Sequence, residues 1–214
     1  HCFDPKTGIM IPGNTDEALE IPVLTFHRIV SDKVKQTNYP DDQWVASVKD
    51  FKEQMEYLYE HDYKTLSMDE YYSWYRGKRT VKKKSIVLTF DDAAASHRTV
   101  VAPLLKKYGL GGTFFVCEFR GFENKEHYMS WEQIRELSEM GFEIGNHTRS
   151  HPAMSKLDRE QIEEQIRYIE DKCAQYGIPH PTTFAYPGYD TSAEGIALLR
   201  ERGYRYARHG GDRP

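Results

Sequence analysis

Cysteine is scarce: the 214 residues hold 3, Cys2, Cys117 and Cys173, with no paired spacing of the kind that cages a metal. A disulfide framework and a cysteine-based metal module are thereby excluded, and Cys117 reads as strand core and Cys173 as helix core. Long apolar runs are also missing. No segment approaches the ~20 residues needed to cross a bilayer, and none reads as a signal peptide, although the start at His1 rather than Met is compatible with a processed end. Nor is there a basic excess. Lysine and arginine number 29 against 33 aspartates and glutamates, a net charge of -4, and the densest basic cluster, residues 82–84, is a short loop run. That argues against a nucleic-acid partner, which would need a broader basic surface. Repeats, low-complexity tracts and clear linkers are absent. With 39% hydrophobic and 29% charged residues, the composition is that of one globular domain with a substantial core.

What is present is an alternation of strand-like and helix-like segments. Residues 22–27, 63–67, 85–90, 112–117, 142–147, 182–187 and 204–208 read as strands, several of them apolar on both faces as parallel strands covered on two sides should be. Between them, Trp44, Val48, Phe51, Met55 and Leu58 recur at helical spacing, as do Ile162, Ile166, Ile169 and Cys173, and both sets read as core stripes. Ser130 and Gln133 form a capping box for a helix through Leu137 that Gly141 ends. Pro103 falls in the first turns of a segment closed by Gly109, and Asp42 reads as a helix cap. The expected fold is α/β, a distorted parallel (β/α) barrel of about seven strands lacking a late element. Residues 1–20, with Gly8, Pro12, Gly13 and Asn14, are expected to be an irregular lead-in to a catalytic domain over 21–214.

In such a barrel, chemistry gathers at the carboxyl ends of the strands, and three polar groups fall there. Asp91 and Asp92 follow "IVLTF", where two adjacent carboxylates ending a buried strand are costly unless a cation or a shared proton compensates them. "NHTRSH" follows "FEIG" and puts His147 four residues before His151; on a helical turn the two imidazoles would share a face and could bind one metal ion. "AYPGYD" follows "TTF", and its proline and glycine shape a turn able to present backbone N–H groups. Any one of these arises by chance often enough. Their coincidence at three strand ends points to a functional site.

Taken together, "TFDD", "HTRSH" and "AYPGY" resemble the motifs of the polysaccharide deacetylases of carbohydrate esterase family 4, which share the nodulation-protein-B homology domain. The resemblance runs from about Ile21 to the end of the chain. It implies Asp91 as general base; Asp92, His147 and His151 as ligands of a divalent metal; Thr148 as a brace of the histidine loop; and Pro187, with Tyr186 and Tyr189, along a substrate groove where the Gly188 N–H helps hold an oxyanion. "PVLTFHRI" is similar to the opening strand of one branch of the family, which makes His27 a candidate for the groove wall. Zinc is the first expectation from the ligand types, and cobalt, nickel or manganese would fit the same ligands. The implied activity is removal of N-acetyl, or O-acetyl, groups from a polysaccharide or oligosaccharide, the implied substrate an N-acetylated amino-sugar polymer or oligosaccharide, and the implied setting secreted or envelope-associated. Tyr186, Tyr189 and Trp131 are candidates for stacking on sugar rings.

The sequence departs from the family pattern at three places. Ala93 stands where the first motif usually has glycine, and Ala185 where many members have an arginine that braces the base, so the brace must come from elsewhere, with Arg149 and Arg208 as candidates. The family's late leucine and histidine motif, which supplies the general acid, would follow the last strand. His209 is the candidate there; the alternatives are an acid recruited elsewhere, a longer natural chain, or a chain without turnover. Two other readings share the ligand set: a metal-dependent amidase acting on a small non-sugar amide, and a carbohydrate-binding member of the fold that does not catalyse.

Overall fold

A computed structural model describes residues 2–3, 10–11 and 16–210. In chain order the strands are β1 (Cys2–Phe3), β2 (Met10–Ile11), β3 (Val23–Phe26), β4 (Arg28–Val30), β5 (Val45–Ser47), β6 (Lys64–Leu66), β7 (Ser85–Asp91), β8 (Thr113–Val116), β9 (Glu143–Asn146), β10 (Thr183–Ala185) and β11 (Tyr206–Arg208). The helices are α1 (Asp32–Asn38), α2 (Val48–Glu60), α3 (Met68–Tyr75), α4 (Ala102–Lys107), α5 (Trp131–Glu139), α6 (Arg159–Gln175) and α7 (Ala193–Glu201). All seven strands expected for the barrel form one parallel sheet of 7 strands, ordered β11-β10-β9-β8-β7-β3, with β6 alongside the amino-terminal half of β7.

The sheet curls into an open half-barrel whose edges are β3 and β11. A side-chain bond joins those edges: Arg208 Nη1 of β11 donates to Thr25 Oγ1 of β3 at 2.7 Å. Alternation along β7 explains why its sequence is apolar throughout. Val87 packs inside the barrel with Leu66, Phe115 and Ala185, while Ile86, Leu88 and Phe90 face the helices with Phe114, Val116 and Ile144. Each fully buried aromatic or leucine on these layers contributes on the order of 2 kcal/mol. Close approach fixes one glycine, since a Cβ on Gly145 of β9 would stand 2.5 Å from the Phe115 ring.

The helices begin where local chemistry starts them. Ser130 with Gln133 and Asp158 with Gln161 form complete capping boxes for α5 and α6, and Gly141 closes the turn after α5 with φ 90°. Ile162, Ile166, Ile169 and Cys173 are the buried stripe of α6. Pro103 lies in the first turn of α4, which continues a π-helical turn at His97–Val101.

Several expectations fail. Trp44 is outside the helical stripe that its spacing suggests: α2 begins at Val48, capped by Ser47, and Trp44 is 47% exposed. Asp42 caps no helix; its Oδ1 accepts from the Trp44 N–H at 2.8 Å, a local turn before β5. The parallel β4–β5 pair and the polar helix α1 carry too little periodic apolar sequence to be anticipated. Within the lead-in, β1 and β2 pair antiparallel and residues 16–18 clip onto 81–83, whereas Gly8, Pro12, Gly13 and Asn14 lie outside the described residues.

Candidate active site

Asp91 ends β7 on the barrel-interior face, above Val87 and Thr89, and is 2% exposed. A charge so placed needs a partner. Arg208, itself 7% exposed, supplies it: Nη2 bonds Asp91 Oδ2, Nη1 bonds Thr25, and the guanidinium lies 5.4 Å above the Phe115 ring. Of the two arginines considered as a brace, Arg208 makes the contact. Arg149 faces outward, over the Tyr168 ring and 3.6 Å from Glu164. Asp91 Oδ1 is buried with no hydrogen-bond partner among the described residues, so one oxygen of the carboxylate is held and the other is unpaired.

The next residue breaks the strand. Asp92 and Ala93 have φ of 73° and 52°, which turns the second carboxylate away from the first and toward the histidine loop. Ala93 therefore takes the left-handed conformation that glycine would take more cheaply.

His147 and His151 come together without a helix. Asn146, at the end of β9, donates to Ile166 O and Tyr204 Oη and accepts the Thr148 N–H at 2.8 Å; Thr148 Oγ1 in turn accepts the His151 N–H at 3.1 Å. Thr148 and His151 both take positive φ, 68° and 58°, so the loop reverses and sets the two rings 4.8 Å apart at 80°. The pairing that a helical turn would allow is made instead by a side-chain-braced loop, in which Asn146 and Thr148 offer local bonds that a helix would forgo. His147 Nδ1 donates to Ala185 O at 2.6 Å, leaving Nε2 to face Asp92 Oδ1 at 3.4 Å; His151 Nε2 stands 3.7 Å from the same oxygen.

The ligand-type atoms of Asp92, His147 and His151 all lie within 4.8 Å of one another. Burial works against the Asp92 charge, yet the His147 hydrogen bond and the neighbouring imidazoles outweigh it and lower its pKa. Burial likewise opposes the His147 cation, but Asp92 and Asp91 raise its pKa, while burial and the charge of His147 lower that of His151. The pocket thus attracts positive charge but disfavours two imidazolium ions. One carboxylate and two imidazoles, with the His147 tautomer fixed from behind by Ala185, form a donor set suited to a divalent ion such as zinc.

A cavity of about 480 Å³ opens above these groups, walled by His27, Trp44, Phe119, Tyr128, Tyr189 and Gly188. His27 Nε2 lies 3.8 Å from Asp91 Oδ2, and its ring meets Trp44 edge-on at 4.8 Å. Trp44 and Tyr189, 37% exposed, stand 6.4 Å apart as a pair of aromatic walls. Tyr186 reaches the cavity but is mostly packed on Phe184, and Gly188, with φ 56°, forms the turn beside it. Behind His27 sits a group that the sequence did not single out. His97 is wholly buried against Phe90 and Phe114, with Nε2 2.6 Å from the His27 carbonyl oxygen; burial pushes its pKa down to about 4, so it is neutral and donates that bond. Cys117 is buried as expected, with Sγ 3.9 Å from Asp92 Oδ1.

Three candidates stand elsewhere. Trp131 is 5% exposed on α5, stacked on Tyr176 and bonded through Nε1 to Glu118, so it faces no groove. His209 is exposed at the end of β11 and contacts Gly210 O, outside the cavity. Pro187 is buried and shapes the turn without lining the cavity. The sequence also missed Trp44, Arg28 and His127 in the cavity wall. The adjacency of Arg28 to His27 was the one available signal; His127 had none.

The family model for polysaccharide deacetylases matches residues 78–207. The chain belongs to that family. The match takes in both carboxylates, both loop histidines and the "AYPGY" turn. Among the chain's relatives, the putative polysaccharide deacetylase YxkH of Bacillus subtilis (strain 168) is 24% identical over 191 residues, 89% of this chain and 64% of that protein. The poly-beta-1,6-N-acetyl-D-glucosamine N-deacetylase of Staphylococcus aureus is 26% identical over 173 residues, 75% of this chain and 59% of that protein. The chain thus spans about six tenths of the length of either relative. Two solved structures share the fold. Streptococcus pyogenes deacetylase PplD, in complex with acetate, superposes with a TM-score of 0.78 at 21% identity, covering 88% of this chain and 82% of that one. IcaB from Ammonifex degensii gives 0.72 at 24%, covering 93% and 89%.

Proposed function

We propose that this polysaccharide deacetylase removes N-acetyl groups from an amino-sugar polymer, with Asp91 as general base and Asp92, His147 and His151 holding a divalent ion, zinc first by donor type. The observation that carries the reading is the division between the two adjacent carboxylates. Asp91 is tied to Arg208 and keeps one oxygen without a partner, whereas Asp92 turns to the two histidines. A bound ion would supply Lewis acidity toward the acyl oxygen and the attacking water.

The remaining chemistry belongs to the protein. Asp91 takes a proton from water as the water oxygen attacks the amide carbon, and the Arg208 bond keeps the carboxylate aimed. The Gly188 N–H is the donor assigned to the developing oxyanion. As the carbon–nitrogen bond breaks, the leaving nitrogen must gain a proton. His27, beside Asp91 and in the cavity wall, is the histidine positioned to deliver it, in place of the exposed His209. Acetate and a free amine result. The Staphylococcus aureus relative, named for N-deacetylation of a poly-N-acetylglucosamine, supports the substrate class, and Trp44 and Tyr189 offer faces on which sugar rings can stack.

The test is acetate release from N-acetylglucosamine oligomers by the zinc-loaded chain. Release should stop with a chelator, fall at least about 100-fold in His27→Gln, and persist in His209→Ala. Bound zinc without release would leave a carbohydrate-binding protein, and activity on small acetamides alone would indicate an amidase.

A further inference from the structure

A cation in the cavity wall is not used by this chemistry. Arg28, half-buried at the start of β4, makes two side-chain bonds, neither of them to a carboxylate: Nη1 donates to Tyr39 Oη at 3.3 Å and Nη2 to His127 Nδ1 at 2.9 Å. Its guanidinium also lies 5.6 Å from the Tyr39 ring centroid. Among the described residues no carboxylate oxygen comes within 4.0 Å of it. Several other arginines among the described residues are held by acids, as Arg208 is by Asp91 and Arg202 by Glu163 and Glu170. An arginine has five N–H donors in a rigid planar fork, so Arg28 keeps donors to spare.

Neither carboxylate of the same cavity pairs with it: Asp91 bonds Arg208 and Asp92 faces the histidines. The Tyr39 ring and the His127 imidazole hold the guanidinium in place without cancelling its charge. His127 is itself anchored by its backbone carbonyl, which accepts from the Ala95 N–H at 2.8 Å, so the cation is fixed before any ligand arrives.

We infer that Arg28 is a recognition point for an oxyanion, a carboxylate or phosphate substituent carried by the glycan near the sugar that is deacetylated. The inference rests on the deacetylase reading for the identity of the polymer, and on Arg28 alone for its charge. A planar fork suits either group.

The test compares three tetrasaccharides by calorimetry on the zinc-loaded chain: neutral N-acetylglucosamine tetramer, its counterpart alternating with N-acetylmuramic acid, and a tetramer bearing a 6-phosphate. At low salt one or both anionic probes should bind about 10-fold tighter than the neutral one, and the preference should shrink as salt is added. Arg28→Met should bring the ratio to within about 2-fold, and Arg28→Lys, which keeps the charge without the fork and protects against a folding loss, should leave it intermediate. Which probe is preferred identifies carboxylate or phosphate. Equal binding of all three probes by the unaltered chain, or a preference that survives Arg28→Met, would overturn the inference. Acetate measured in the same samples separates the two readings: preferential binding without release would remove the deacetylase and keep the anion site, and release without preference would do the reverse.

Discussion

From Ser85 to Asp91 the chain is a regular strand buried at every position; one residue later, Asp92 and Ala93 enter the left-handed region. The wall and the rim of the half-barrel differ in this way throughout. Of the six non-glycine residues with positive φ among those described, Asp92, Ala93, Thr148, His151 and Tyr189 lie in the rim loops, and only Asp62 lies apart from them. The wall is built by apolar burial and tolerates no special backbone. The rim spends conformational energy to bring carboxylate, imidazole and aromatic groups together, which the packed wall beneath it makes affordable.

The largest effects should separate wall from rim. Phe114→Ala, in the wall, should lower unfolding free energy by about 3–5 kcal/mol in a denaturant titration. His147→Ala, in the rim, should weaken zinc binding by at least about 100-fold, whether or not stability also changes. A His147→Ala protein with unchanged zinc affinity would erase the distinction. Arg208 sharpens it from the other side, because it closes the seam of the wall and serves the rim. Arg208→Met leaves Asp91 buried without its partner and should cost about 3–5 kcal/mol by the same titration.

His97 joins the two regions through the His27 carbonyl, and its protonation gives the comparison a pH axis. Its folded pKa of about 4 lies below the ordinary 6.5, so the unfolded chain takes up the proton first as pH falls. The stabilisation is complete above pH 6.5 and is lost as pH falls through 6.5 toward 4, by up to about 3 kcal/mol. His97→Gln should flatten that part of a melting-temperature profile, and an unchanged slope would assign the acid sensitivity elsewhere. Smallest is Ala93→Gly, expected to add about 1 kcal/mol by relieving a left-handed alanine, offset in part by the lost methyl burial.

The wall was largely legible in the sequence, because buried parallel strands and amphipathic helices write their faces into residue spacing, as in "SIVLTF" and Ile162 to Cys173. The chemistry of the rim was legible through its motifs, but its geometry was not. The histidine pair is set by Asn146 and Thr148 side-chain bonds, which spacing does not encode, so the four-residue interval alone left the form of the turn open. Trp44 matched a helical stripe by spacing and belongs to the cavity, because the Ser47 cap starts α2 after it. Arg208 could be only one of two candidate braces until the sheet curled and brought β11 to β3.

The division of labour between the adjacent carboxylates is the central claim, and a calorimetric zinc titration of Asp91→Asn beside Asp92→Asn tests it most directly. Asp91→Asn should bind one zinc with affinity within about 10-fold of the unaltered chain while acetate release disappears, and Asp92→Asn should lose zinc affinity by at least about 100-fold. Equal loss of zinc in both variants, or full turnover in Asp91→Asn, would contradict it.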